Sequence, residues 1–146
     1  MANAGIDHSN VAAPELGDDT VLLLPVDPDA SARALRQRFE ASGKAPIGVV
    51  ISDSFGRPWR MGTTGVAIGI SGPAALVVRS GDQDMFGRTL AATEIGFADG
   101  IAAAAVLAMG EAAESTPVVV IRGLAWADTV QVARDVQRPR DKDMFR

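Results

Sequence analysis

IGVVISDSFGRPWRMGTTGVAIGI, residues 47–70, decides the fold class, because two apolar runs flank a short polar stretch. Ile47–Ser52 is rich in β-branched residues and predicts a buried strand that ends at Asp53. Residues 54–62 are polar and basic and predict a loop. Thr64–Ile70 predicts a second strand, which its internal glycines weaken. The centre of the chain therefore predicts a strand, a loop and a strand.

Helices are predicted on both sides of this centre. Asp27 and Pro28 supply an N-cap and a first-turn proline, so a helix should extend to about Ala41, with Gly43 as its stop. One face of this helix would hold the apolar side chains of Ala34, Leu35 and Phe39. Thr93–Glu111 is rich in alanine and apolar almost all round, which predicts a buried helix.

Three more apolar runs have strand length: Thr20–Pro25, Ala74–Arg79 and Val118–Arg122. The tail from Ala125 to Arg146 is more polar and is expected on the surface. Strands and helices mix without strict βαβ alternation, which favours an α+β fold over a doubly wound sheet. The 146 residues fit one domain, residues 1–146.

Composition excludes several classes of function. There is no cysteine, which rules out disulfides, thiolate metal sites and cysteine nucleophiles. The formal net charge of -4 argues against nucleic acid as a partner. The longest strongly apolar stretch, Ile101–Met109, is too short to span a bilayer, and no signal segment is apparent, so a cytoplasmic protein without membrane contact is expected.

A first polar segment lies within the predicted N-terminal loop, residues 1–19. It supplies side-chain oxygens at short spacing, from Asn3, Asp7, Ser9 and Asn10. Hard cations such as Mg²⁺ and Mn²⁺ prefer such ligands. The alternative is a turn stabilised by its Asn and Asp side chains. His8 is the one histidine, and without cysteine it argues against a zinc site.

A second polar segment follows the first central strand. Asp53 and Ser54 could hold a metal, while Arg57 and Arg60 could bind phosphate or carboxylate through their planar guanidinium groups. The alternative is a surface turn with an Arg–Asp ion pair, in which Trp59 serves packing.

Two further segments are weaker. Residues 62–69 are glycine-rich and could approach an anion through backbone N–H groups, but they match neither the Walker A nor the Rossmann pattern, and a structural turn is favoured. At residues 109–114, Gly110 could simply end the helix and leave Glu111 solvated.

Together these segments resemble one family in order and spacing, the coenzyme F420-0:L-glutamate ligase family. The motifs that carry the resemblance are NAGIDHSN at 3–10, SDSFGRPWR at 52–60, GTTGVAIG at 62–69, DMFGRTL at 84–90, AAAAVLAMGEA at 102–112, VVVIRG at 118–123 and RPRDKDMFR at 138–146. The similarity covers essentially the whole chain. The implied fold is an α+β, CofE-like arrangement of mixed sheets with packed helices.

The resemblance implies an enzyme that uses GTP and a divalent metal to join L-glutamate to coenzyme F420-0. The metal would be Mg²⁺ or Mn²⁺, with K⁺ as a further candidate ion. The acceptor carboxylate would be activated as an acyl phosphate, which the amine of glutamate then attacks. A homodimer is also implied.

Matching the motifs implies site residues but names no catalytic side chain. The metal ligands would be Asp7, Asp53, Ser54 and Glu111. The GTP contacts would be Asn10 and a loop made of Met109, Gly110, Glu111, Ala112, Ala113, Glu114, Ser115 and Thr116. Anion contacts by Arg57, Arg60 and Arg122 are a physical inference rather than part of the resemblance.

The sequence departs from the family at its start and in the glycine-rich segment. Family members carry roughly a hundred residues before NAGID, with the first GTP contacts including a lysine. The expectation is therefore a C-terminal portion of the ligase domain. The alternative is a truncated, non-catalytic CofE-like domain that needs a partner or the missing half. Many relatives have Gln and Asp where this chain has Thr63 and Gly65.

Overall fold

The computed structural model describes residues 6–7, 10–11, 15, 17, 20–43 and 45–143. Its elements in chain order are β1 (Ile6–Asp7), β2 (Leu22–Leu23), α1 (Pro28–Glu40), β3 (Val49–Arg57), β4 (Arg60–Ser71), β5 (Leu76–Val78), β6 (Glu94–Gly96), α2 (Phe97–Met109) and two 3-10 helices, Ala133–Val136 and Arg140–Lys142. The strands form three two-stranded antiparallel sheets, β1–β2, β3–β4 and β5–β6. This mixture of small sheets and helices confirms the predicted α+β class.

The centre of the fold is one long hairpin, β3–β4. The loop predicted over residues 54–62 is wrong, because the strands continue to Arg57 and resume at Arg60. Only Pro58 and Trp59 lie between them, with Trp59 at φ 55. A positive φ at the second turn position is what a type II turn requires, and proline suits the first. Polarity there marks an exposed hairpin tip and not a break in the strands.

The glycine-rich segment, residues 62–69, is strand and not the favoured structural turn. Gly65 and Gly69 are buried in β4 where the helices approach its backbone. A Cβ on Gly65 would collide with the carbonyl oxygen of Ala102 and come within 2.6 Å of a Val106 methyl group in α2. These glycines therefore permit close packing of helices on the hairpin.

Helix α1 begins as predicted, but it buries a different face. The Asp27 carboxylate accepts a hydrogen bond of 2.8 Å from the N–H of Ala30. The side chain of Ala32 is fully buried, whereas Leu35 is 40% exposed and Phe39 is 50% exposed. The helix approaches β4 so closely that only small side chains fit between them, which leaves the larger apolar residues outside.

Helix α2 is shorter than predicted. Residues 94–96 form β6 against β5, so the helix begins at Phe97 and not at Thr93. It ends at Gly110, whose φ of 74 confirms the predicted helix stop. Ala98 and Ala102 are buried, but Leu107 is 88% exposed, so the expected burial on most sides is wrong toward the C-terminal end.

Side chains from outside the sheets bind strand backbones. The carboxylate of Asp29 accepts from the N–H of Ile70 at 2.8 Å and from that of Ala133 at 3.1 Å. Asp99 accepts from the N–H of Ala67 at 2.9 Å. The amide of Gln131 both accepts from and donates to the backbone of Leu76, at 3.0 and 3.3 Å, as a neighbouring strand would. These contacts fix both helices and the C-terminal segment to the strands.

The core is small and made largely of alanine. Its buried cluster consists of Ala67, Ile70, Ala75, Ala98, Ala102 and Ala133.

An ion pair links α1 to the C-terminal segment. Arg36 of α1 forms a bidentate pair with Asp128 at 2.7 and 2.8 Å and also donates a hydrogen bond to Glu40. The hydrogen bonds from Arg36 lower the pKa of Asp128 below its ordinary value. The guanidinium therefore links α1 to the C-terminal segment.

Three other strand predictions have mixed outcomes. Of Thr20–Pro25, only residues 22–23 form a strand, and β5 covers the middle of Ala74–Arg79. The strand predicted at Val118–Arg122 is wrong, since these residues have no regular secondary structure and pair with no strand in the described part of the chain. The described part of the tail, residues 125–143, is mostly exposed or half-buried, and Ala133 is buried. No helix in the described ranges is long and apolar enough to cross a membrane.

Candidate functional site

Two neighbouring cavities open beside the middle of β3. We call the first the loop cavity, because residues 109–117 line it; its volume is about 770 Å³. We call the second the arginine cavity, because Arg57 and Arg60 line it; its volume is about 920 Å³. The two cavities share four of their lining residues, Asp7, Ser52, Asp53 and Ser54. Any ligands in the two cavities would therefore meet at one polar wall.

The loop cavity brings together the site residues that the sequence analysis named. Its lining contains Asp7, Asn10, Asp53, Ser54 and the whole stretch Met109–Thr116. Strand pairing alone could not have brought them together, since they come from β1, a following turn, β3 and the end of α2. Asn3, His8 and Ser9 lie outside the described residues.

Asp53 and Ser54 are held rigidly because they lie inside a strand. Asp53 pairs with Val66 of β4, and Ser54 pairs with Gly65. One carboxylate oxygen of Asp53 accepts from the N–H of Ser54 at 2.8 Å, which fixes the side-chain rotamer. Both residues are half-buried. A strand interior is a more precise support for such side chains than the strand end predicted for Asp53 or the loop predicted for Ser54.

The loop after α2 is exposed and folds back on itself. Glu114 accepts from the N–H of Ala112 at 2.8 Å, and the hydroxyl of Thr116 donates to the carbonyl of Glu114 at 3.1 Å. Ser115 adopts a positive φ of 52. Side chains that bond their own backbone give this loop a defined shape along one wall of the cavity.

Glu111 is not merely solvated, as one interpretation of the sequence had it. Both of its carboxylate oxygens accept from the hydroxyl of Thr63, at 2.9 and 3.2 Å. This contact joins the loop after α2 to β4 and orients the Glu111 carboxylate. Thr63 also lines the arginine cavity, so it connects the two cavities. The sequence does not predict this role, because Thr63 stands out only as a hydroxyl residue within a glycine-rich segment and as a departure from the family.

The donor set suits a hard divalent cation, though no compact metal cluster is present in the described ranges. Carboxylates of Asp7, Asp53 and Glu111 and the hydroxyl of Ser54 line the loop cavity. Oxygen donors of this kind suit Mg²⁺ or Mn²⁺. Within the same ranges, no three Asp, Glu, His or Cys side chains are grouped closely enough to hold a metal.

The arginine cavity has a charged end and an apolar wall. Arg57 and Arg60 face each other across the hairpin, while the apolar side comes from Leu22, Leu23, Leu24, Ile51 and Ile68. Neither arginine forms an ion pair with another described residue, so the Arg–Asp pair of the alternative interpretation is not found in the described part of the chain. Arg122 lines neither of these two cavities. The sequence does not predict this apolar wall, because it combines the short strand β2 and Leu24 with side chains of β3 and β4.

Known proteins match this chain over most of its length. The sequence profile of the F420-0:Gamma-glutamyl ligase family matches residues 1–123. The coenzyme F420:L-glutamate ligase of Methanocaldococcus jannaschii is 44% identical over 145 residues, which is 99% of this chain and 56% of that protein. The proteins of the same name from Methanothermobacter thermautotrophicus and Methanopyrus kandleri are each 45% identical, over 148 and 149 residues.

These alignments cover 99% of this chain but only 56–57% of the three relatives. The chain thus spans little more than half the length of the curated proteins that it matches. The match over residues 1–123 includes the described lining of both cavities and the β3–β4 hairpin. By the family profile and by these identities, the chain belongs to the F420-0:Gamma-glutamyl ligase family.

Proposed function

We propose that this protein forms the amide bond between L-glutamate and coenzyme F420-0 with GTP as the energy source. The observation that carries the proposal is the loop cavity, which gathers the residues assigned to GTP and to metal from four separate parts of the chain. The family's description, F420-0:Gamma-glutamyl ligase, supports this acceptor, and the relatives' name, coenzyme F420:L-glutamate ligase, supports the amino acid.

The proposed chemistry has two steps. A carboxylate oxygen of the acceptor attacks the γ-phosphorus of GTP, the bond to the β–γ bridging oxygen breaks, and GDP leaves. The amine of glutamate then attacks the acyl carbon, orthophosphate leaves with the C–O bond electrons, and the nitrogen loses a proton. Such phosphoryl transfer depends on positioning and on charge stabilisation rather than on a protein nucleophile, which agrees with the absence of cysteine.

We assign the divalent cation that this chemistry needs to Asp7, Asp53, Ser54 and Glu111, which line one cavity. The three carboxylates would have to draw together around the ion, since they are not grouped in the described structure. The cation would neutralise charge on the nucleotide phosphates. Thr63 would keep Glu111 oriented toward the cavity through the hydrogen bond described above. Asn10 and the loop Met109–Thr116 would contact the nucleotide. The protein's own contribution is to hold these oxygens on a strand and on a shaped loop.

Calorimetric titration of GTP into the 146-residue chain with Mn²⁺ tests this proposal most directly. Binding that requires the metal, followed by GDP release when coenzyme F420-0 and L-glutamate are added, is the expected result. Binding without ligation would favour the non-catalytic domain. If ligation then appears when the N-terminal half of a relative is added, the missing half is needed for activity. An absence of GTP binding, both by the chain alone and in the presence of the N-terminal half of a relative, would contradict the proposal.

Asp53→Ala should abolish ligation while barely altering folding. The variant removes a proposed metal ligand but only one short-range hydrogen bond, so the free energy of unfolding should change by about 1 kcal/mol or less. Asp82→Ala is a matched control, because its carboxylate forms only an exposed pair with Arg79. Turnover retained in the Asp53 variant would exclude that residue as a metal ligand.

We also propose a homodimer. Large apolar side chains are exposed on α1 and in the segment after Pro117, including Phe39 at 50% and Val118 at 73%. The interface of a homodimer would cover side chains of this kind. Light scattering should give about twice the 15.2 kDa chain mass, and a monomer would contradict the proposal.

A further inference from the structure

The arginine pair at the tip of the central hairpin lies outside the set of residues assigned to GTP and metal. Arg57 and Arg60 occupy directly paired positions of β3 and β4. Directly opposed side chains on an antiparallel pair lie about 5 Å apart at Cβ, where like charges are destabilising. No described carboxylate pairs with either guanidinium. Two like charges placed together without a counterion among the described residues favour the binding of an anion.

The backbone makes this placement fixed rather than accidental. The hairpin turns over two residues, and Trp59 adopts a positive φ that is uncommon for a bulky side chain. Gly62, with φ 82, accommodates the register shift between Gly56 and Arg57. This turn and register shift put the two arginines opposite each other at the edge of the same cavity. Planar guanidinium forks at such a site match carboxylate or phosphate oxygens.

The rest of the cavity indicates the size and character of the ligand. At about 920 Å³ it is within the range of pockets that take drug-sized molecules, and far more than a free amino acid requires. Its wall of leucine and isoleucine side chains suits an apolar or aromatic body. The proposed nucleotide loop, residues 109–116, lines the other cavity and not this one.

We infer that Arg57 and Arg60 bind an anionic group of the acceptor substrate, whose apolar body lies along β2. This inference rests on the proposed function for the identity of the acceptor, coenzyme F420-0. The shared wall of Asp7, Ser52, Asp53 and Ser54 then lies between acceptor and nucleotide. The arginine pair is a specificity determinant: it selects an acceptor that carries both an anion and an apolar body.

Calorimetry on the full 146-residue chain separates this assignment from the alternatives. Arg57→Gln and Arg60→Gln should each weaken coenzyme F420-0 binding about tenfold, since a charged hydrogen bond contributes on that order. GTP affinity with Mn²⁺ should stay within about twofold. Arg134→Gln is the matched control, because that arginine is exposed and lines neither cavity; it should change neither affinity. Thermal melts check that all three variants fold.

Other outcomes would overturn the inference. Loss of GTP binding with coenzyme F420-0 binding unchanged would assign the arginines to the nucleotide. Loss of L-glutamate binding alone would assign them to the amino acid. Wild-type protein that binds GTP but not coenzyme F420-0 would also exclude an acceptor site in this chain.

A second probe keeps the arginine site testable if the proposed function fails. Glutarate, a simple dicarboxylate, can be titrated while the Nε–Hε signals of the arginines are followed by nuclear magnetic resonance. Shifts at Arg57 and Arg60 but not at Arg134 would support the anion site, even in a protein that binds neither GTP nor coenzyme F420-0. Unmoved Arg57 and Arg60 signals at millimolar glutarate would overturn it.

Discussion

Two stretches of nearly identical character, Ile47–Ser52 and Val118–Arg122, have different fates in this protein. Both are short and β-branched, and both predict strands. The first enters β3, where residues 49–52 pair with β4 and are half-buried. The second pairs with no strand in the described ranges, and Val118 and Val120 are 73% and 69% exposed.

The difference lies in the neighbours and not in the stretches themselves. A two-residue turn brings β4 back beside β3, and both helices pack on the result. No such return follows Val118–Arg122, because Gly123 begins a largely irregular segment that reaches the 3-10 helix at Ala133. A β-branched run therefore predicts a surface that is fit for pairing, and the fold decides whether a partner is present.

The largest expected effect concerns the approach of α2 to the hairpin. Gly65→Val should destabilise the protein by about 3 kcal/mol or more, because the new side chain would meet the backbone of Ala102. Gly56→Val is the control in the same hairpin, since a Cβ there meets nothing within 4 Å. Urea unfolding measures both. Equal stability of the two variants would show that close packing of α2 does not stabilise the β3–β4 hairpin. It would then not explain why this hairpin forms while Val118–Arg122 stays unpaired.

A smaller effect is expected where α1 binds β4. Asp29→Ala would leave the N–H groups of Ile70 and Ala133 without their acceptor, at a cost of about 2 kcal/mol. Asp29→Asn keeps one acceptor oxygen and should recover part of that loss. Hydrogen exchange at Ile70 provides a local measure, and protection that is unchanged in the alanine variant would contradict the assigned role.

The smallest effect tests the exposed stretch itself. Val120→Thr should change the free energy of unfolding by no more than about 0.5 kcal/mol, as for other exposed positions. The same substitution at Val50, which packs against the core, should cost about 1–2 kcal/mol. A cost above 1 kcal/mol at Val120 would mean that the stretch is covered in solution, as in the proposed homodimer.

Much of the fold could be predicted where the signal is local. The Asp27 cap, the Gly110 stop and the two central strands depend on adjacent residues, and the structure has all of them. The hairpin tip was missed, because exposed strands near a tight turn are polar and look like loop. The buried face of α1 was also missed, since packing against glycines favours Ala32 over larger side chains.

The candidate site was predicted by family motifs and not by spacing. Nothing in the sequence places Asp7 near Glu111, and their shared cavity depends on how the N-terminal segment and α2 lie against β3. The roles of Thr63 and of the leucines of β2 could not be predicted for the same reason, because they depend on distant contacts. Each candidate metal-binding side chain could be identified by its residue type, but the residues that lie next to it in the fold could not.

The side chains that bond strand backbones have a consequence for behaviour in a crowded cell. Asp29, Asp99 and Gln131 occupy backbone groups of β4 and β5 that could otherwise recruit a foreign strand. Unprotected strand edges are templates for misassembly and fibril growth. In two sheets, carboxylate and amide side chains thus block backbone groups that a foreign strand could pair with. No such side-chain hydrogen bond to the backbone of Val118–Arg122 is found within the described residues, so aggregation of damaged protein should begin there.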